Sequence, residues 1–151
     1  MPSASIATIV GSLCVTEMDG AICELAWCDV EHSDTTALLS RAIEQLRAYF
    51  AAELQVFDLP LQVAGSDFQR RVCDAMLAIP FGETRTYGDI GRDLSAPAQP
   101  IGNACGANPI PVIIPCHRVL GANGLGGFSG AGGVETKVTL LKHEGAAGLL
   151  I

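Results

Sequence analysis

Basic side chains are scarce in this chain. Its 151 residues carry nine Lys and Arg against sixteen Asp and Glu, for a net charge of −7. The shortage is local: residues 1–60 hold two basic groups, Arg41 and Arg47, against nine acidic ones, whereas residues 61–151 hold seven of each. Neither part has the basic stripe that usually marks a nucleic-acid surface, so charge alone argues against DNA. Long apolar runs are also missing. Nothing approaches the roughly 18 consecutive apolar residues of a membrane span. The start, Met1-Pro2-Ser3-Ala4-Ser5, has neither the basic flank nor the apolar core of a secretion signal. The expectation is a soluble, cytoplasmic protein with no membrane partner. Zinc-like ligand spacing is absent too: of six cysteines the closest pair is Cys23 and Cys28, with no second pair or nearby histidine to complete a set. Inside a cell these thiols read as reduced, buried small hydrophobes. No metal and no cofactor are expected.

With 49% hydrophobic and 17% charged residues, the chain can build one compact unit or two small ones sharing an interface. Residues 5–10, 12–17 and 21–28 read as strands, the last two joined by a hairpin turn at Met18-Asp19-Gly20. From Asp34 to Leu54 the period lengthens, with Leu39, Ile43, Leu46, Phe50 and Leu54 at three- to four-residue steps; Ser33 or Asp34 can cap this amphipathic helix. Phe57 to Leu61 looks extended. Nothing in this first module resembles a reactive site. After Gly65, Ser66-Asp67-Phe68-Gln69 reads as a capping box opening a helix that ends at Pro80. Thr86 caps a short helix from Tyr87 to Leu94, and a further helix runs from about Ala98 to Ala107, with Pro97 and Pro100 at its start. Two short helices joined by a tight turn are a helix-turn-helix candidate, although most such pairs simply pack. Gly121 to Gly133 is either a flexible loop or one where the backbone approaches a ligand. A last helix, Val134 to His143, closes on Glu144-Gly145. The boundary falls between modules 1–62 and 63–151.

The most telling segment is Asn108-Pro109-Ile110-Pro111-Val112-Ile113-Ile114-Pro115-Cys116-His117-Arg118-Val119. A thiol becomes a nucleophile only when something lowers its pKa or takes its proton. Here a base and a cation lie within two residues of Cys116, on backbone stiffened by three prolines. By itself Cys116 could be a structural thiol, and His117 an ordinary histidine.

Read together, the segments resemble the O6-alkylguanine-DNA alkyltransferases. The matching motifs are Gly65-Ser66-Asp67-Phe68-Gln69, Ile79-Pro80-Phe81-Gly82-Glu83-Thr84, Thr86-Tyr87, Asn108-Pro109-Ile110-Pro111, Ile114-Pro115-Cys116-His117-Arg118-Val119, Gly127-Phe128-Ser129-Gly130 and His143-Glu144-Gly145. The resemblance implies an α/β (α+β) fold: a small ribonuclease-H-like strand-plus-helix domain, then a mainly helical, winged helix-turn-helix-like domain. It implies stoichiometric transfer of an alkyl group from guanine O6 in double-stranded DNA to Cys116, by a monomer, without regeneration. His117 would take the thiol proton through a water, Glu144 would orient His117, and Asn108 would brace the active-site turn. Tyr87 would assist nucleotide rotation and donate to the departing guanine. Val119, through its backbone, Phe128 and Ser129 would line the base pocket. Gln99, Gly102 and Ala104 would lie on the helix placed in the minor groove, where readout is degenerate.

Two departures stand out. Gln99, followed by Pro100, occupies the position of the family's stacking arginine, and the segment from Tyr87 to Gln99 is two residues shorter than the common pattern. DNA affinity is therefore expected to be weakened. Arg118 is read as a fold-supporting ion pair and Cys105 as packing. Two other functions fit parts of the pattern: a lesion-binding module that flags alkylated bases, which would not need Cys116, and a cysteine hydrolase using Cys116, His117 and Glu144.

Overall fold

A computed structural model of the chain describes residues 1–146. The N-terminal part is an antiparallel sheet of three strands in sequence order, β1 (Ser3–Thr8), β2 (Gly11–Met18) and β3 (Ala21–Trp27), with α1 (Ala37–Phe50) packed against it. The turn between β2 and β3 is the expected one, since Asp19 and Gly20 both take positive φ, 52° and 79°, as a tight hairpin turn requires. The remainder is helical: α2 (Asp67–Leu77), α3 (Tyr87–Leu94), α4 (Ala98–Gly106) and α5 (Val134–His143). Two-residue strands, β4 (Arg85–Thr86) and β5 (Val119–Leu120), pair in parallel. A single 3-10 turn over Cys116–Arg118 precedes β5.

Several expected features move, each for an identifiable reason. The cap of α1 is Thr36, whose hydroxyl accepts from the Leu39 amide, and not Ser33 or Asp34. Those two are held by β1: Ser33 bridges Ala4, and the Asp34 carboxylate accepts from the Ser3 amide. At the other end α1 stops at Phe50, short of Leu54. Ala52 turns to φ 60°, its amide donating to the Tyr49 carbonyl and that of Glu53 to the Ala48 carbonyl. This is a Schellman closure with alanine where glycine is usual. The capping box at α2 is only half made. Ser66 accepts from the Gln69 amide, but the Gln69 side chain reaches instead to the Ala104 carbonyl at 2.8 Å, fastening α4 to α2. The complete box lies at α3, between Thr86 and Asp89.

α3 and α4 pack on each other and on α2. The turn between them again closes without glycine: Ser95 takes φ 54° and the Ala96 amide donates to the Gly91 carbonyl. One apolar core runs through both parts, from Leu13, Val15 and Ile22 through Leu39 and Leu46 to Val72, Ile90, Ile114 and Leu140. The edge of β3 is tied to the later chain, its Ile22 exchanging hydrogen bonds around Leu61 and its Leu25 amide donating to the Pro109 carbonyl at 3.0 Å. The N-terminal sheet is thereby fixed to the proline-rich segment itself.

Candidate active site

That segment is held in a shape few sequences could adopt. Asn108 is buried and bonded at both ends of its amide: Nδ2 donates to the Ile114 carbonyl at 2.8 Å, and Oδ1 accepts from the Ile110 amide at 2.9 Å. Two three-residue turns follow. One is centred on Val112, whose φ of 72° is costly for a β-branched residue, with the Ile113 amide donating to the Pro111 carbonyl. The other is centred on Pro115, with the Cys116 amide donating to the Ile114 carbonyl at 2.8 Å. Backbone strain of this kind persists only where surrounding packing imposes it, and Ile110, Val112, Ile113 and Ile114 are all buried. The result is a rigid platform that delivers Cys116, His117 and Arg118 on one tight turn.

His117 and Glu144 are completely enclosed, with side chains of 0% exposure. Glu144 ends α5 and sits at the centre of a polar cluster. Arg118 grips it with two nitrogens, Nε to Oε1 and Nη2 to Oε2, each at 2.8 Å, while Nη1 donates to the Ile79 carbonyl at 2.7 Å. His117 Nε2 lies 2.8 Å from Oε2, and the Tyr49 hydroxyl donates to the same oxygen at 2.6 Å. Burial opposes the charge on Glu144, but the donors of His117, Arg118 and Tyr49 outweigh it and hold the carboxyl far below the usual carboxylate range. Glu144 is therefore an anion that can only accept. His117 must place its proton on Nε2 to meet it. Burial pushes the imidazole's pKa down, against the pull of Glu144, so the ring is neutral near pH 7. Its Nδ1 is then a buried lone pair, and among the described residues it has no hydrogen-bond partner. The neighbouring Cys116 thiol is raised by burial, with Asn108 and Lys137 working the other way. A protonated thiol next in sequence to a neutral imidazole with a spare lone pair is a pair of groups that could serve as nucleophile and base.

Cys116 opens into a cavity of about 420 Å³. Tyr87, Gly102 and Gly106 line it from α3 and α4, Cys105 lies beside Cys116, and Gly127, Phe128 and Ser129 complete the rim. The size suits one flat heteroaromatic group.

The family description "6-O-methylguanine DNA methyltransferase, ribonuclease-like domain" matches residues 3–63, and "6-O-methylguanine DNA methyltransferase, DNA binding domain" matches residues 67–146. The chain belongs to the 6-O-methylguanine DNA methyltransferase family. Its relatives include methylated-DNA–protein-cysteine methyltransferases of Mycolicibacterium paratuberculosis, 53% identical over 68% of this chain, and of Mycobacterium bovis, 52% identical over 70%. The matched stretches span 63% and 64% of those relatives' lengths. Among solved structures, Mycobacterium tuberculosis OGT in complex with DNA superposes with a TM-score of 0.86 at 40% identity, covering 96% of this chain and 93% of that one.

In this methyltransferase-family chain the structure gathers Cys116, His117, Glu144 and Asn108 around one turn. It sets Tyr87, Gly102, Phe128 and Ser129 around the cavity. Gln99 is exposed in the first turn of α4. Ala104 is placed differently from expectation: it is buried in the core, its carbonyl taken by Gln69, because α4 turns that face toward α2. The Val119 carbonyl is taken up by Lys137, whose Nζ donates to it at 2.6 Å and to the Gly127 carbonyl at 3.0 Å. Arg118 forms the expected ion pair, and no helix is long and apolar enough to cross a membrane among the described residues.

Three participants escaped the sequence reading. Lys137 is fully buried, with its pKa lowered by burial to about 8, and pins the glycine-rich loop to β5. Tyr49 and Trp27 come from the N-terminal module, which had shown no sign of a site. Trp27 meets Phe128 edge to face at 5.9 Å. Gly130 lies so close beneath both rings that a Cβ there would fall 2.4 Å from Phe128 and 2.6 Å from Trp27. At Gly130, and at Gly126 beside Tyr87, glycine thus serves close approach, whereas Gly124 and Gly127 face open space. The one available signal for Tyr49 was a phenol on the inward stripe Leu39-Ala42-Leu46-Tyr49, since a buried hydroxyl needs a partner.

The cluster also makes stability pH-dependent. Both folded pKa values, of His117 and of Glu144, lie below their unfolded values. The native state therefore binds fewer protons, and stability falls as pH falls. The loss starts below about pH 6.5, where the unfolded histidine protonates, and steepens below about pH 4.3, where the unfolded glutamate does. Thermal midpoints measured from pH 8 to pH 4 should decline across this window, and His117→Gln should flatten the upper part.

Proposed function

We propose that this chain repairs O6-alkylguanine in double-stranded DNA by moving the alkyl group irreversibly to Cys116. The observation that carries the reading is the line of groups Cys116, His117 and Glu144: a protonated thiol on a cavity floor, a neutral imidazole with its Nδ1 lone pair free, and an anion fixing the opposite nitrogen. The thiol proton passes to Nδ1 through a bridging water, and Sγ attacks the alkyl carbon. The S–C bond forms as the C–O6 bond breaks, and guanine leaves. Tyr87, on the cavity wall, donates a hydrogen bond to the departing base, lowering the charge it must carry. Imidazolium formed on His117 is stabilised by Glu144, as in other nucleophile–base–carboxylate sets. The product thioether has no leaving group of use to water, so each chain acts once.

The lesion must leave the stack, at a cost of a few kcal/mol. The α3–α4 pair is the element that would enter the minor groove, with Gln99 filling the vacated space and Phe128 and Ser129 closing over the base. Glutamine brings no charge, and residues 61–151 are neutral, so binding should be weaker than an arginine at this position would give. The reading further assigns residues 63–151 the chemistry and residues 1–62 the brace, and places a monomer in the cytoplasm. The test is intact-protein mass spectrometry after incubation with an O6-methylguanine duplex, with Cys116→Ala as control. One methyl group on Cys116, absent from the variant, is the expected result. A chain that holds the duplex yet gains no mass would be a lesion-binding module.

A further inference from the structure

Glu144 Oε2 accepts from three donors, and one of them comes from outside the reactive half of the chain. Tyr49 stands in the last turn of α1, 95 residues away in sequence, and is wholly buried. Its ring is set by Phe50, Phe57 and Phe81, with centroids at 5.0, 5.4 and 6.1 Å. Its carbonyl accepts from His143 Nε2 at 2.7 Å, one residue before Glu144. The phenol is thus aimed by packing on all sides, and its 2.6 Å bond to Glu144 is the shortest in the cluster around that carboxylate.

We infer that Tyr49 is a positioning residue of the active site, through which the N-terminal module sets how strongly Glu144 pulls on His117. A hydrogen bond donated to a carboxylate withdraws part of its charge, and in a buried site that charge is felt by every neighbour. The groups facing the pair are Arg118 on the reactive turn, Lys137 on α5, Cys116, and Tyr49 on α1; His143 flanks Tyr49. Arg118 is a fixed cation, whereas Lys137, whose pKa burial lowers to about 8, is charged at neutrality and loses its charge above it. Tyr49 is the neutral donor, kept protonated by its own burial and by the charge of Glu144. With its hydroxyl in place Glu144 holds His117 firmly in one tautomer without making it an imidazolium at rest. Without it, the same carboxylate would keep a proton on the ring up to a higher pH, where it occupies the lone pair that the thiol requires.

Two variants at one site move the effect in opposite directions. Tyr49→Phe keeps the ring and removes the donor. Site-specific replacement of Tyr49 by 3,5-difluorotyrosine keeps the ring and strengthens the donor. Single-turnover transfer rates against pH should show the rising limb displaced upward by roughly half to one pH unit in the phenylalanine variant, and downward with fluorotyrosine. His143→Gln, which disturbs the Tyr49 backbone contact but leaves the hydroxyl, should leave the limb in place. The rate readout rests on the alkyl-transfer reading, so the His117 imidazole is also titrated by NMR, which needs no transfer. Opposite displacements in that titration support the inference even in a chain that transfers nothing. Superimposable titrations in all three proteins, or displacement in the same direction by both substitutions at Tyr49, would overturn it.

Discussion

Cys116→Ser is expected to abolish alkyl transfer at every pH while leaving the lesion duplex bound. Serine preserves the shape of the turn, since the platform is built by Asn108, the two three-residue turns and the apolar residues beneath them, and of these only Asn108 also acts on the thiol. What it removes is a group that a neutral imidazole can deprotonate. Thiols ionise near pH 8.5, and even when burial raises Cys116 the remaining gap is one that Nδ1 of His117 can bridge during attack. A hydroxyl lies far beyond that reach, and its oxygen is a poorer nucleophile toward a saturated carbon. The loss should exceed about 10³-fold. Single-turnover transfer of a radiolabelled methyl group, read beside a gel-shift titration of the same duplex, separates the two properties. Substantial transfer by the serine variant would move the acceptor elsewhere, with Cys105, the other thiol on the cavity, first to be examined.

Glu144→Gln should damage both chemistry and fold. The amide cannot serve as an anion for Arg118, whose guanidinium is buried and fixed by two bonds to Glu144. Removing one partner of a buried ion pair strands the other, at about 3–5 kcal/mol. In a chain of this size that is a fall of roughly 10 °C or more in thermal midpoint. The amide also offers N–H where the carboxylate offered only lone pairs, so the His117 ring can reverse its tautomer and put a proton on Nδ1. Transfer should then drop by at least about 10²-fold at temperatures where the variant is still folded. Calorimetry and transfer kinetics on one preparation check both. A variant that loses stability but transfers at the parent rate would reduce Glu144 to an anchor for Arg118.

How much of this could be read from the residues depended on range. The hairpin at Asp19-Gly20, the final helix and the reactive turn declare themselves through neighbours in sequence, and the structure places them as expected. The end of α1 was hidden because Ala52 adopts positive φ without being glycine, whereas α3 stops at Leu94 as read, although Ser95 closes it in the same way. Only at Gly145, with φ 64°, does the same closure carry its usual mark. The cap of α1 was displaced by strand pairing, a contact no local pattern encodes. Gln69 fitted a capping box by spacing, yet the Ala104 carbonyl, 35 residues away, claimed its side chain. Cys116, His117 and Glu144 could be named from motifs. Tyr49 and Lys137 could not, because their importance comes from what folding brings opposite them. An inward-facing tyrosine on a helix stripe and a lysine in an amphipathic helix look like core edge and surface until the partners are known.

The contact between Trp27 and Phe128 has a practical side. Trp27 is the chain's one tryptophan, its indole N–H tied to the Val10 carbonyl at 2.9 Å and its ring set against the rim of the cavity. Emission excited at the red edge, where the two tyrosines do not absorb, therefore comes from a single indole packed against Phe128 on the rim of the site. Occupancy of that site can be followed in real time by light alone, without dye or isotope, and with no other indole to dilute the signal.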